Sequence, residues 1–168
     1  MIPNNDGFPM PNDQQKMDIA KKAGGLLPNG PLPKELGDGS ATAFQLITAN
    51  ELFETAYFSS LLHNITDGVE GFEAENKDEL VDIFTRILGQ EEQHAIAGTA
   101  TLKTAGRFAP GACEYMFPAT DLKSSVMIAE TFTALVLGAL QGANVLFAKD
   151  NAPDLIQIVS SVIGQEGE

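Results

Sequence analysis

The chain has 168 residues, enough for one domain with a sizeable core, and its apolar share of 43% is ordinary for a soluble globular protein. A formal net charge of -13 with scattered basic residues argues against a nucleic-acid or anionic-membrane surface. The longest apolar runs are broken by Gly, Thr, Gln or Glu, so no transmembrane segment is expected; no basic stretch followed by an apolar one opens the chain, so no signal peptide is expected, although a mature secreted chain reads the same way.

Residues 1–40 are rich in Pro, Gly, Asn and Asp. Pro3, Pro9, Pro11, Pro28, Pro31 and Pro33 forbid a long helix there, and one short helix fits 14–23. The rest of the segment reads as an extended arm lying over a domain that spans 41–168, with a disordered tail as the alternative.

The first long helix is expected over 42–63. Its apolar stripe runs Phe44, Ile47, Glu51, Glu54, Phe58 and Leu61 at spacings of three and four. Both acids therefore stand where core residues belong. A buried carboxylate is costly unless it is paired, protonated or metal-bound, so one of the two can instead turn to solvent. Asn64-Ile65-Thr66 is an N-glycosylation sequon, a mild hint of secretion, and a loop is expected over 66–75.

The second helix is expected over 76–104, with Gly106 as its stop. Its stripe is Leu80, Phe84, Ile87, Glu91, His94, Gly98 and Leu102. Glu91 and His94 lie just under one turn apart, so both leave the same face and converge on one point. A carboxylate and an imidazole in that arrangement suit a divalent metal such as iron, manganese or zinc. Gly98, inside a helix and on its stripe, hints at close packing.

A crossover over 107–120 leads to a third helix over 121–147. This helix is apolar on most sides, which argues for deep burial or an additional partner surface. Glu130 is its only acid, so a role as a ligand competes with a salt bridge or a carboxylic acid held by backbone groups. Cys113, in the crossover, is the only cysteine, which rules out an intrachain disulfide and reads as a buried or inert thiol. A fourth helix starts near Pro153, with Leu155, Val159, Val162 and Glu166 on its stripe. It is about four turns long and reads as truncated.

Two segments echo each other. Ile87-Leu88-Gly89-Gln90-Glu91-Glu92 is matched by Val162-Ile163-Gly164-Gln165-Glu166-Gly167-Glu168. Glu51 and Glu130 stand about 40 and 36 residues before Glu91 and Glu166. Two helix pairs of this kind place carboxylates in the centre of a four-helix bundle with a long crossover.

On these residues the chain resembles the ferritin-like superfamily, and specifically the fungal late sexual development or stress-response proteins. The segments carrying the likeness are Asn50-Glu51-Leu52-Phe53-Glu54, Gly89 to His94, Phe132-Thr133 with Val136-Leu137-Gly138, and Ile163 to Glu168. Gly7-Phe8-Pro9, Asn64-Ile65-Thr66 and Tyr115-Met116-Phe117-Pro118 also look like that family. The resemblance implies an all-α ferritin-like bundle in proteins that often carry a secretion signal, hence an extracellular or cell-surface location. It implies Glu51, Glu91, His94, Glu130 and Glu166 as metal ligands, with Glu54 an extra candidate, for iron or manganese. A second Glu-x-x-His is absent, which weighs against enzymatic redox chemistry; if the chain is an enzyme, a di-iron oxidoreductase of ferroxidase type is implied. The competing reading is a non-enzymatic structural protein that keeps the bundle and self-associates through the apolar third helix and the shortened fourth.

Overall fold

The computed structural model describes residues 4–25 and 31–167, so Pro3, Pro28 and Glu168 fall outside the described residues. The described residues form five α-helices and no strand: α1 (Asp13–Ala23), α2 (Asp38–Asp67), α3 (Lys77–Thr104), α4 (Leu122–Lys149) and α5 (Pro153–Glu166). The architecture is an all-α helical bundle.

Local chemistry sets the helix ends. Asn12 accepts the Gln15 amide while the Gln15 side chain reaches back to the Asn12 amide, opening α1. Asp121 and Ser124 repeat that box at the start of α4, and Pro153 occupies the first turn of α5. Gly24 and Gly68 close α1 and α2 in the left-handed conformation, at φ 89° and 64°. The sequon expected at a helix–loop corner belongs instead to the last turn of α2. There the Thr66 hydroxyl donates to the Leu62 carbonyl.

The helices α2 and α3 form the most intimate pair. A Cβ on Gly98 would lie 2.4 Å from Thr48 Oγ1, so this glycine lets the two backbones approach. Two apolar clusters fill the bundle. One gathers Phe44, Leu102, Leu140, Phe147 and Leu155. The other gathers Tyr57, Phe58, Leu61, Ile65 and Phe84, with Phe132 of α4 set edge-on against Phe53, Tyr57 and Phe58. Along α2 and α3, the polar positions Thr48, Glu51, Glu54, Glu91 and His94 lie between these clusters and are buried.

The N-terminal arm is fastened to the outer side of α3. Phe8 is 1% exposed and packs with Leu52 and Ala95. Lys22 of α1 places its ammonium 2.8 Å from a carboxylate oxygen of the buried Glu92 and also contacts Asp6. A Cβ on Gly89 would stand 2.8 Å from the Ala23 amide nitrogen, so Gly89 makes room for α1.

Of the two readings that the composition of α4 allows, deep burial and an additional partner surface, the structure overturns the first. Among its 28 residues only Ser125, Ala129, Leu140, Ala143 and Phe147 are buried. Val126, Met127, Leu135, Val145 and Leu146 are exposed. By length and composition alone, α4 is apolar enough to cross a membrane, with a mean hydropathy of 1.5. Cys113, expected to be buried or inert, lies exposed in the crossover.

Candidate metal centre

Three helices bring carboxylates to one imidazole. The helix α2 presents Glu51 and, one turn on, Glu54; α3 presents Glu91 and His94; the last turn of α5 presents Glu166. Donor atoms of Glu51, Glu91, His94 and Glu166 all lie within 4.8 Å of one another. His94 Nδ1 stands 3.1 Å from Glu51 Oε2, 3.1 Å from Glu91 Oε2 and 3.6 Å from Glu166 Oε1. These four side chains are between 1% and 6% exposed.

The other imidazole nitrogen fixes the tautomer. His94 Nε2 lies 2.8 Å from the Gln165 carboxamide oxygen, an acceptor, so Nε2 carries a proton and donates it. Nδ1 then directs its lone pair into a ring of carboxylate oxygens. That arrangement is repulsive unless a proton or a metal ion occupies the space. Gln165 is thus the residue that orients the imidazole, and it stands beside Glu166 inside the Gly-Gln-Glu echo. Residue pattern alone did not single it out, because an amide leaves no charge or periodic signal of its role.

The electrostatics agree. Burial pushes the Glu91 carboxyl up to about 7, against the pull of His94. Burial, then the Glu91 charge, pushes Glu166 up to about 8. Glu54 is fully buried, and burial followed by the charges of Glu91, Glu51 and Glu166 raises it to about 11. Burial works against a protonated His94, but the Glu51 and Glu91 carboxylates overcome it and hold the imidazole well above its ordinary value. Without a metal, therefore, protons occupy this acidic cluster.

Several buried oxygens remain without a hydrogen-bond donor: Glu51 Oε1, both oxygens of Glu54 and Glu166 Oε1. Such orphans are rare in protein interiors and fit a site that takes up a cation. The donor set, three carboxylates and one imidazole with a fourth carboxylate nearby, is compatible with a divalent metal ion. Glu54 is drawn in electrostatically but lies outside the group of four.

Glu130 is not brought to the cluster. It lies on the exposed face of α4, about 100° per residue around the helix from the buried Ala129. The α4 residue that faces the site is Thr133, which lines a cavity of about 460 Å³ together with Phe58, Ile87, Glu91, His94 and Glu166. Asn64, the sequon residue, is half-buried and borders a separate cavity of about 220 Å³ lined by Tyr57, Tyr115 and Phe117.

A family model described as "Ferritin-like domain" matches residues 40–168. No curated protein and no solved structure is matched by the chain.

Proposed function

The chain belongs to the ferritin-like domain family, and from that premise we propose that its buried cluster is a site for iron or manganese. The observation that carries this reading is the meeting of Glu51, Glu91, His94 and Glu166 donor atoms within 4.8 Å, in a buried setting with orphaned oxygens. Glu51, Glu91 and Glu166 supply oxygen donors and neutralise the ion's charge. His94 supplies Nδ1, and Gln165 holds the ring in the tautomer that leaves this nitrogen free. A bound iron or manganese would supply redox and oxygen chemistry to the site. Glu54, protonated beside the group, is the residue placed to give up a proton when a cation arrives.

Metal analysis by mass spectrometry, on protein purified without chelators, tests this directly. The expected result is iron or manganese in near-stoichiometric amount, lost in His94→Ala. Metal at trace level only, with no change in thermal stability on adding Fe or Mn, would sink the proposal.

The likeness to fungal late sexual development and stress-response proteins supports a role in development or stress, and the sequon supports an extracellular or cell-surface location. A shift in electrophoretic mobility after enzymatic deglycosylation of the native-source protein checks the latter. The non-enzymatic, structural reading is favoured by one observation, the exposed apolar face of α4.

A further inference from the structure

We propose that the cavity over the acidic cluster binds a small organic monocarboxylate, with its carboxylate on Arg86 at the mouth and its apolar end turned to Glu91, His94 and Glu166 at the floor. The ligand's role as a substrate rests on the metal reading; the binding itself does not.

The cavity holds about 460 Å³, a size that takes a small molecule. It links solvent to the cluster along α3. Ile83 is 43% exposed, Ile87 is half-buried and Glu91 is buried, so this wall descends from surface to floor. The three positions lie about one turn apart on a single helix face, and at about 1.5 Å per residue they span about 12 Å. Phe58 of α2 and Thr133 of α4 belong to the other walls. The floor is not sealed by the protein itself, since Glu166 Oε1 is buried there without a hydrogen-bond donor.

The walls select an organic molecule over a hydrated ion. Between mouth and floor, Ile83, Ile87 and Phe58 offer hydrocarbon. A hydrated cation gains nothing from such a lining, whereas an apolar ligand buries its own surface against it.

Charge sets the ligand's direction. Arg86 lines the cavity and is exposed. Its Nη1 would stand 3.3 Å from a Cβ on Gly24, so the guanidinium lies against the C-cap of α1, where the helix dipole favours a cation. Among the described residues Arg86 makes no ion pair, not even with Asp82 one turn further out. In a chain with 23 acids against 10 Lys and Arg, that leaves a carboxylate-matching fork open to a ligand. The carboxyl groups of Glu91 and Glu166 at the floor repel an anion and tolerate a hydrocarbon end. From Arg86 to Glu91 is about 7.5 Å along the helix, which is the length of apolar body the site accepts.

Hydrocinnamate, a carboxylate with two methylenes and a phenyl ring, is the probe. Calorimetry on metal-free protein should show saturable binding at one site per chain. The neutral hydrocinnamamide and the cation phenethylammonium should each bind about tenfold more weakly or worse. Arg86→Gln, at an exposed position, should weaken hydrocinnamate by about tenfold or more and leave hydrocinnamamide unchanged. In Mn-loaded protein, the paramagnetic ion should broaden the ring proton resonances of hydrocinnamate more than those of the methylene beside its carboxylate. No saturable binding, an amide or amine as tight as the acid, indifference to Arg86→Gln, or a methylene broadened more than the ring overturns the proposal. Protein that takes up Mn but not hydrocinnamate keeps the metal centre and loses this site. Protein that binds hydrocinnamate through Arg86 but takes up no Mn keeps this site and loses the centre.

Discussion

Along α2 and α3, every acid on the apolar stripes is buried: Glu51, Glu54 and Glu91 are each at most 5% exposed. Along α4 and α5 the matching acids part company, with Glu166 turned into the cluster and Glu130 turned to solvent. The sequence pattern is nearly the same in both halves; the packing is not. In the first half, Gly98 lets the backbones close on each other, and α1 with Phe8 and Lys22 braces α3 from outside. In the second half Gly164 packs against nothing, and α4 keeps a long exposed face. A stripe fixes which residues share a helix face. Which way the face turns depends on what covers the helix.

Removing the one cation-forming side chain of the cluster is the sharpest way to break this contrast. In metal-free protein, His94→Ala leaves Glu51 and Glu91 buried without a positive partner. Breaking a buried pair in this way costs about 3–5 kcal/mol. Chemical denaturation at pH 7 should show a loss of that size. A loss under about 1 kcal/mol would mean that the α2–α3 half is no more dependent on its polar centre than the α4–α5 half is.

The pH dependence comes next in size. Glu91, Glu166 and Glu54 are all raised, to about 7, 8 and 11, and His94 is raised as well. A raised folded-state value means that the native protein holds the proton more tightly than the unfolded chain. For the acids, the associated stability is complete below about 4.5 and fades as pH climbs toward the folded values; for His94 it is complete below about 6.5 and fades above. Metal-free protein should therefore be less stable at pH 8 than at pH 5.5, by at least about 2 kcal/mol. Metal displaces the same protons, so stabilisation by added Mn should grow over that range. A stability that rises with pH in the metal-free protein would contradict the buried, protonated cluster.

Glycine substitutions compare the halves directly. Gly98→Ala pushes a methyl group against Thr48, and overpacking of that kind costs roughly 1–3 kcal/mol. Gly164→Ala meets open space, and the gain in helix propensity should stabilise α5 by up to about 1 kcal/mol. Opposite signs in thermal melts are the expected outcome; the same sign at both sites would remove the packing distinction.

Much of this was legible in the residues. Stripe spacing placed Glu51, Glu54, Glu91, His94 and Glu166 on inward faces, because helical periodicity is local and survives without tertiary context. It placed all four long helices to within a few residues, since proline, glycine and capping residues mark their ends. Three things were not legible. The continuation of α2 past Asn64 to its left-handed cap at Gly68 was one, since the residues between carry only weak helix signals. The role of Gln165 depends on a contact across 71 positions of sequence. The exposure of α4 depends on which of its faces the other helices meet, whereas its composition alone argues equally for burial and for a partner surface.

Glu130 carries the smallest expected effect, and for that reason it tests the comparison most cleanly. It sits at the stripe position that mirrors Glu51, yet Thr133 is the α4 residue that lines the cavity at the cluster. Glu130→Gln removes its charge with almost no change in volume. Melting should stay within about 0.5 kcal/mol of the parent, as for other exposed sites. Metal content should not change. The parallel substitution Glu51→Gln removes a donor only 3.1 Å from His94 Nδ1, so metal content should fall sharply. If Glu130→Gln also empties the site, α4 must rotate inward when metal binds, and the two halves are equivalent in the loaded protein. If only Glu51→Gln does so, the centre is built from α2, α3 and the last turn of α5, with α4 as a wall that contributes no carboxylate.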